Sequence, residues 1–218
     1  RMKPGEKLMV NAGGDLEYLC EIANIERDSV SLRVLEGRQE TRELPVSITL
    51  YQGLPKAEKM ELIVQKAVEL GAAAIVPIEM HRSVVRLDEK KAAVKQKRWQ
   101  AIAEAAAKQA GRSVIPEVSL PLSFKEALRR VEAEGTELRL LPYERAAGMA
   151  ATRDLIRSVK AGQRVAVMIG PEGGFEETEV EAAEAEGFHA LTLGKRILRT
   201  ETAGLVMLSL VMAETEED

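Results

Sequence analysis

From residue 46 onward the chain alternates short apolar runs with longer amphipathic segments, and this constrains its fold more than any other feature. Residues 47–51, 74–78, 138–141, 165–169 and 191–193 have strand length and composition. Between them, residues 57–70 read as a helix stopped by Gly71 and residues 89–110 as an Ala-rich helix stopped by Gly111, while Ser123 and Glu126 form a capping box that opens another. Such alternation predicts an α/β fold with a mainly parallel sheet covered by helices, and places ligand sites at the carboxyl ends of the strands. The first forty-odd residues read differently, as strand-like runs at 8–10, 16–25 and 30–35 around a Gly13-Gly14 turn. Three strands of this size stand alone only if they close into a small barrel or lean on a neighbour. The domain boundary is therefore predicted near residue 46, giving domains 1–45 and 46–218.

Two loops at strand ends near the C-terminus carry the chemistry. The first is Gly170-Pro171-Glu172-Gly173-Gly174-Phe175, and the second runs from Leu193-Gly194-Lys195-Arg196-Ile197-Leu198 into Arg199-Thr200-Glu201-Thr202-Ala203. A phosphate cradle wants bare backbone N–H groups at a helix start, usually with a Lys. The first loop has no Lys or Arg of its own, and Glu172, Glu176 and Glu177 repel a phosphate. The G-x-G-x-x-G dinucleotide spacing is also not met. Taken alone, these glycines fit an ordinary strand-to-helix turn with acids in the first helical turn, as well as a loop that a ligand approaches closely. In the second loop an N-cap role accounts for Thr200 or Thr202, and the helix dipole accounts for Glu201. Neither explains Lys195, Arg196 and Arg199, which crowd where the dipole disfavours cations, and a bound group or partner is the remaining reading.

Composition removes several function classes. The net charge is −4, so the whole chain is not a general polyanion binder. No apolar run reaches the length of a membrane span and the opening residues show no signal pattern, which predicts a cytoplasmic protein. The chain begins at Arg1 rather than Met, so further N-terminal residues are expected ahead of it. A lone Cys20 forms no internal disulfide, and with only His81 and His189 beside it no Cys/His zinc site, or any other metal, is predicted. Between His81 and Arg112, nine Lys or Arg stand against three acids. That stretch reads either as a solvated helix face or as a basic stripe for RNA phosphates, with Arg82, Arg86, Lys97, Arg98 and Arg112 as the RNA-binding candidates. Trp99, flanked by apolar positions, reads as core or interface before it reads as a base-stacking platform.

The paired C-terminal motifs, together with Lys59-Met60-Glu61, Gln65-Lys66-Ala67, Glu69-Leu70-Gly71, Arg82-Ser83-Val84-Val85, Trp99 and Gln109-Ala110-Gly111-Arg112, resemble the SPOUT class of S-adenosylmethionine-dependent RNA methyltransferases. Within that class the chain is similar, over essentially its whole length, to the enzymes that methylate uracil N3 in 16S ribosomal RNA. Val68 and Ala110 depart from the pattern, standing where the family often carries small polar residues. The resemblance implies a C-terminal trefoil knot, although knots are nearly absent from proteins and periodicity alone predicts an unknotted sheet. It also implies a small PUA-like β-barrel domain ahead of the SPOUT domain, and a homodimer that acts on the 30S ribosomal subunit.

S-adenosyl-L-methionine is the implied cofactor. Its implied site comprises Leu141 and Pro142, then Ile169, Gly170, Glu172, Gly173 and Gly174, then Leu193, Gly194, Ile197, Leu198, Thr200, Thr202 and Ala203. Methylating N3 requires removal of its proton and stabilisation of the uracil anion. Arg199 is the candidate for the second task, and Glu201, with Glu172, for the first. Each has a structural alternative, an ion pair for Arg199 and dipole complementarity for Glu201. Three rivals stay open from sequence: a non-catalytic ribosome-binding module, a nucleotide enzyme on an ordinary Rossmann sheet, and a related SPOUT enzyme acting on transfer RNA or a ribose 2′-OH.

Overall fold

The computed structural model describes residues 2–11, 16–39, 42–146 and 148–216. The chain forms two compact units, one of Arg1–Glu43 with Gly111–Val114 and the other of Leu44–Ala110 with Ile115–Asp218. In the first unit, β1 (Lys7–Asn11), β2 (Leu16–Ile25) and β3 (Val30–Gln39) pair antiparallel in that order. Cys20 and Ile22 on β2 are buried, so the lone cysteine is a strand residue. Three strands are too few to close on themselves, and among the described residues this sheet is open, with β1 and β3 as its edges. The stretch Gly111–Val114, far away in sequence, joins this unit through Glu43. Its carboxylate accepts from Arg112 Nε at 3.0 Å and from the N–H groups of Ser113 and Val114 at 3.0 and 3.1 Å.

The second unit is a parallel sheet in the order β10-β8-β9-β4-β5-β6. Its members are β4 (Ser47–Gly53), β5 (Ala74–Glu79), β6 (Glu117–Val118), β8 (Leu138–Pro142), β9 (Arg164–Ile169) and β10 (His189–Leu191), with the two-residue β7 (Leu122–Ser123) also on β5. One row across it runs Leu140, Val167, Leu50, Ile75, all fully buried. The next row, Met168, Tyr51 and Val76, points to the opposite face and is equally buried. A strand buried on both faces reads as a continuous apolar run, which is why these strands are visible in the sequence.

Helices cover both faces. On one lie α1 (Lys59–Glu69), α2 (Glu89–Ala110), α4 (Met149–Arg157) and α6 (Thr200–Thr215). On the other lie α3 (Phe124–Ala133) and α5 (Glu177–Ala185). Helix α1 buries Met60, Ile63, Val64, Ala67 and Val68, the i, i+3, i+4, i+7, i+8 stripe of a core-facing helix. In α2, Ala103, Ala106 and Ala107 turn small side chains to the core, and Trp99 is buried among them. Trp99 is thus core. Helices α4 and α5 are not singled out by the sequence pattern, because each is nine residues long and buries few apolar groups. The last segment leaves the edge strand β10 and crosses the strands' carboxyl ends, and α6 then packs on α1, β9, α4 and β4. This crossing creates the candidate site. Among the described residues no helix is long and apolar enough to span a membrane.

The capping box at α3 forms as the sequence predicts, with the Ser123 side chain accepting from Glu126 N at 3.3 Å and Glu126 Oε2 accepting from Ser123 N at 2.8 Å. Replacing Ser123 by Ala is expected to lower the unfolding free energy by about 1 kcal/mol, measurable by urea titration with the core Trp99 as the fluorescent probe.

Candidate active site

Strands β8, β9 and β4 are neighbours, and their carboxyl ends open side by side. The end of β4 runs so close to the first loop that a Cβ on Gly53 would lie 2.6 Å from Pro171 N and 2.9 Å from the Gly170 carbonyl carbon. Only glycine allows that approach. Behind the contact, Gln52 is fully buried, and its Nε2 donates to Thr200 Oγ1 at 2.8 Å and to the Gly53 carbonyl at 3.0 Å. Thr200 Oγ1 donates in turn to the Gly170 carbonyl at 2.6 Å. This chain of hydrogen bonds ties the start of α6 to β4 and to the first loop. Gln52 Oε1 is buried without a hydrogen-bond partner among the described residues.

A cavity of about 430 Å³ opens at this junction. Pro142 from the end of β8 forms part of its wall, together with Ile169 from the end of β9 and Gly170, Glu172, Gly173 and Gly174 from the first loop. Ile197, Leu198, Arg199, Thr200 and Ala203 close it from the crossing segment. A smaller cavity of about 110 Å³ shares Pro142, Ile197, Leu198 and Ala203 with it and adds Leu193 and Gly194. The sequence-selected groups from three loops are thereby brought to one cleft, with three exceptions. Leu141 is fully buried on the α3/α5 side of the sheet. Thr202 is exposed on the first turn of α6 and borders neither cavity, and Glu201 also borders neither.

Helix α6 begins at Thr200, three residues before the apolar periodicity starts, with Arg199 as its N-cap and no side-chain cap bond. Neither Thr200 nor Thr202 is therefore the cap that the sequence suggests. The Thr200 hydroxyl is used sideways, in the buried chain with Gln52. Arg199 is exposed on the cavity wall, and no carboxylate pairs with it among the described residues.

The acids of the two loops are held by cations from other strands' ends. Lys59 Nζ lies 3.1 Å from Glu172 Oε1 and 3.2 Å from Glu201 Oε2. The Glu201 contact is a charge contact, since that oxygen accepts no geometrically sound hydrogen bond. Burial acts to raise the Glu172 pKa, but its own N–H, the Lys56 N–H at 3.1 Å and Lys59 outweigh it and hold the carboxyl below its ordinary value. Arg82, on the loop after β5, donates through Nε to Glu176 at 2.8 Å and through Nη1 to the Gly173 carbonyl at 3.0 Å. Its hydrogen bond is the main cause that lowers the Glu176 pKa. The first loop carries no basic residue in sequence, yet it is braced by two in space.

Four of the five basic candidates are engaged by acids elsewhere in the chain. Arg82 is committed to that loop, Arg86 lies 3.8 Å from Glu79, Arg98 donates to Glu61 at 2.8 Å, and Arg112 is held by Glu43 within the first unit. Lys97 alone of the five candidates is exposed with no ion pair among the described residues. Lys195 and Arg196, with an Ile197 that is 86% exposed, project from the crossing segment. Sequence reasoning did not place Lys59, Glu144 or Phe175 in the cavity wall. The signal for Lys59 was its position just past β4, the neighbour of β9. Among the described residues no group of three or more His, Cys, Asp or Glu could hold a metal ion.

Residues 42–212 match the family model described as an RNA methyltransferase domain, and residues 1–35 match that of an RNA methyltransferase PUA domain. The parallel sheet with its crossed C-terminal segment, preceded by the antiparallel sheet, is the SPOUT architecture with a PUA-like domain, the build of an RNA methyltransferase. Ribosomal RNA small subunit methyltransferase E of Bacillus subtilis is 38% identical over 99% of this chain and 85% of its own length. The Neisseria gonorrhoeae enzyme of the same name, solved bound to S-adenosyl methionine, is 32% identical with a TM-score of 0.80 over 97% of this chain and 84% of that one. A crystal structure of a hypothetical protein is 39% identical with a TM-score of 0.92 over 99% of this chain and 86% of that one. The chain belongs to the ribosomal RNA small subunit methyltransferase E family.

Replacing Thr200 by Val removes the hydroxyl and strands the buried Gln52 donor, so unfolding stability is expected to fall by about 1–3 kcal/mol, with Thr200→Ser losing clearly less in the same urea titration. Glu172 and Glu176 both titrate lower in the folded chain than their ordinary 4.5. Their stabilisation is complete above that value and is lost as pH falls through the folded pKa values. Acid unfolding followed by Trp99 fluorescence should therefore shift towards a shallower pH dependence below 4.5 in Glu176→Gln.

Proposed function

We propose that this protein transfers a methyl group from S-adenosyl-L-methionine to N3 of one uridine in 16S ribosomal RNA, in the cytoplasm, as a homodimer acting on the 30S subunit. The observation that carries the reading is Arg199, an arginine without an ion-pair partner among the described residues, on the wall of a cavity whose opposite wall is glycine-bared backbone.

The cleft suits that cofactor. Its volume is ordinary for a small-molecule site. Ile169, Phe175, Leu198 and Ala203 offer apolar surface for a nucleoside, the loop glycines expose backbone polar groups, and Glu144 and Glu172 are carboxylates suited to an ammonium or sulfonium charge. When bound, adenosylmethionine supplies an electrophilic methyl group on a positively charged sulfur.

The chain's own groups do the rest. Losing the N3 proton leaves negative charge on the uracil ring and its carbonyl oxygens, and the Arg199 guanidinium, carried at the start of α6, stabilises it. The buried chain from Gln52 to Thr200 holds the next residue and so limits where Arg199 can swing. Glu172 and Glu201 are both engaged by Lys59, which removes them as the readiest proton acceptors. Glu144, exposed, on the wall of both cavities and in no ion pair among the described residues, is the better-placed base.

RNA phosphates are held by Lys97, Lys195 and Arg196, exposed and unpaired among the described residues, and the antiparallel unit contributes further RNA contacts. The half-exposed Leu205 and Val206 and the exposed Leu210 on α6 supply the apolar surface of the dimer.

Two measurements test this. Mass mapping of small-subunit RNA from a strain lacking the corresponding enzyme should show one 3-methyluridine appear when the protein is added; a methyl on a ribose oxygen or in transfer RNA would overturn the reading. Arg199→Ala should lower kcat by about 10²–10³-fold, the range for loss of a charge-stabilising donor, with the dissociation constant for adenosylmethionine nearly unchanged.

A further inference from the structure

We propose that Lys59 is a positioning residue that locks the Gly170–Phe175 loop to the first turn of α6, so that Arg199 is presented to the cavity in one orientation. The inference rests on the proposed methyl transfer for its kinetic consequence, though not for the structural one.

The residue is in an unfavourable place for its charge. Lys59 is the first residue of α1, where the helix dipole disfavours a cation. Two residues earlier Ala57 has φ +55°, a left-handed conformation that strains any residue carrying a Cβ. The chain thus accepts both a strained backbone and a misplaced charge to start α1 with this lysine at the carboxyl end of β4.

What offsets those costs is the pair of carboxylates. Glu172 comes from the loop after β9 and Glu201 from the first turn of α6, and each brings an oxygen to the same ammonium, at 3.1 and 3.2 Å. The lysine, Glu172 and Glu201 keep only 28%, 27% and 16% of their side-chain surface exposed. Glu172 is further fixed because both of its oxygens accept from Lys56 N, at 3.1 and 3.3 Å. One short stretch, residues 56–59, thereby grips both cavity walls.

Removing the ammonium leaves two carboxylates pointing at one vacated spot. Like charges at such range repel, and the moveable partner is the crossing segment that carries Arg199, since Glu172 stays tied to Lys56. Glu201 lies two residues beyond Arg199, so its displacement reaches Arg199 by loosening Thr200, the residue between them, from Gln52 and the Gly170 carbonyl.

The test uses the full chain and three variants, Lys59→Met, Lys59→Arg and the double change Lys59→Met with Glu201→Gln. Hydrogen exchange without cofactor should show the amides of residues 172–175 and 200–203 opening about fivefold more often in Lys59→Met, the scale of a partly exposed ion-pair network. Exchange should return towards wild type in Lys59→Arg and in the double variant, where the repulsion is gone. In methyl-transfer assays on under-methylated small-subunit RNA, kcat should fall in Lys59→Met and recover in part in the double variant. Unchanged exchange in Lys59→Met overturns the proposal, and so does a double variant no better than the single one, which would make Lys59 a direct ligand of the substrate or cofactor. If the wild-type chain transfers no methyl group while the exchange pattern holds, the lock stands and the proposed reaction alone falls.

Discussion

The structure of the site depends on one buried polar chain, Gln52 to Thr200 to the Gly170 carbonyl. A fully buried amide that lost its partner would keep the cost of desolvation without the hydrogen bond. Its bonds therefore fix which segment may lie across the end of β4. Helix α6 can begin only where Thr200 meets Gln52. That point sets Arg199 at the cavity wall and leaves Glu201 turned towards Lys59. The glycine at 53 makes the arrangement possible, because any side chain there would occupy the space of Pro171.

Around this neutral centre the charged groups act as braces. Arg82 grips the first loop through Glu176 and the Gly173 carbonyl, while Lys59 grips it through Glu172. Both cations come from the strands beyond β9, one after β5 and one after β4. The acids that argue against a phosphate ligand in the sequence are largely spent on these contacts. Arg199, Lys195 and Arg196 are left without such partners among the described residues, and a basic group that folding does not consume is available to a ligand.

Much of the architecture was legible because it follows from local pattern. The central strands are apolar on both faces, α1 carries an unbroken core stripe, α2 ends at its glycine, and Ser123 with Glu126 announces α3. Helices α4 and α5 escaped because they bury too few apolar groups to impose a period. The joining of Gly111–Val114 to the first unit escaped because it depends on Glu43, some seventy residues away. Local charge counts misled for a related reason. The excess of Lys and Arg between His81 and Arg112 is real, but Glu61, Glu176 and Glu43 engage three of its arginines from elsewhere in the chain.

The sequence by itself determined the parallel α/β class, the family, and the two C-terminal loops as the candidate site, since strand and helix periods and motif residues are properties of contiguous stretches. Only the tertiary structure decided which of those residues share a cavity, which cations are already paired, and that Thr200 serves as a buried link in place of a cap. Those outcomes depend on contacts between the ends of separate strands, and distance in space between such ends is set by sheet order, which no local window of sequence contains.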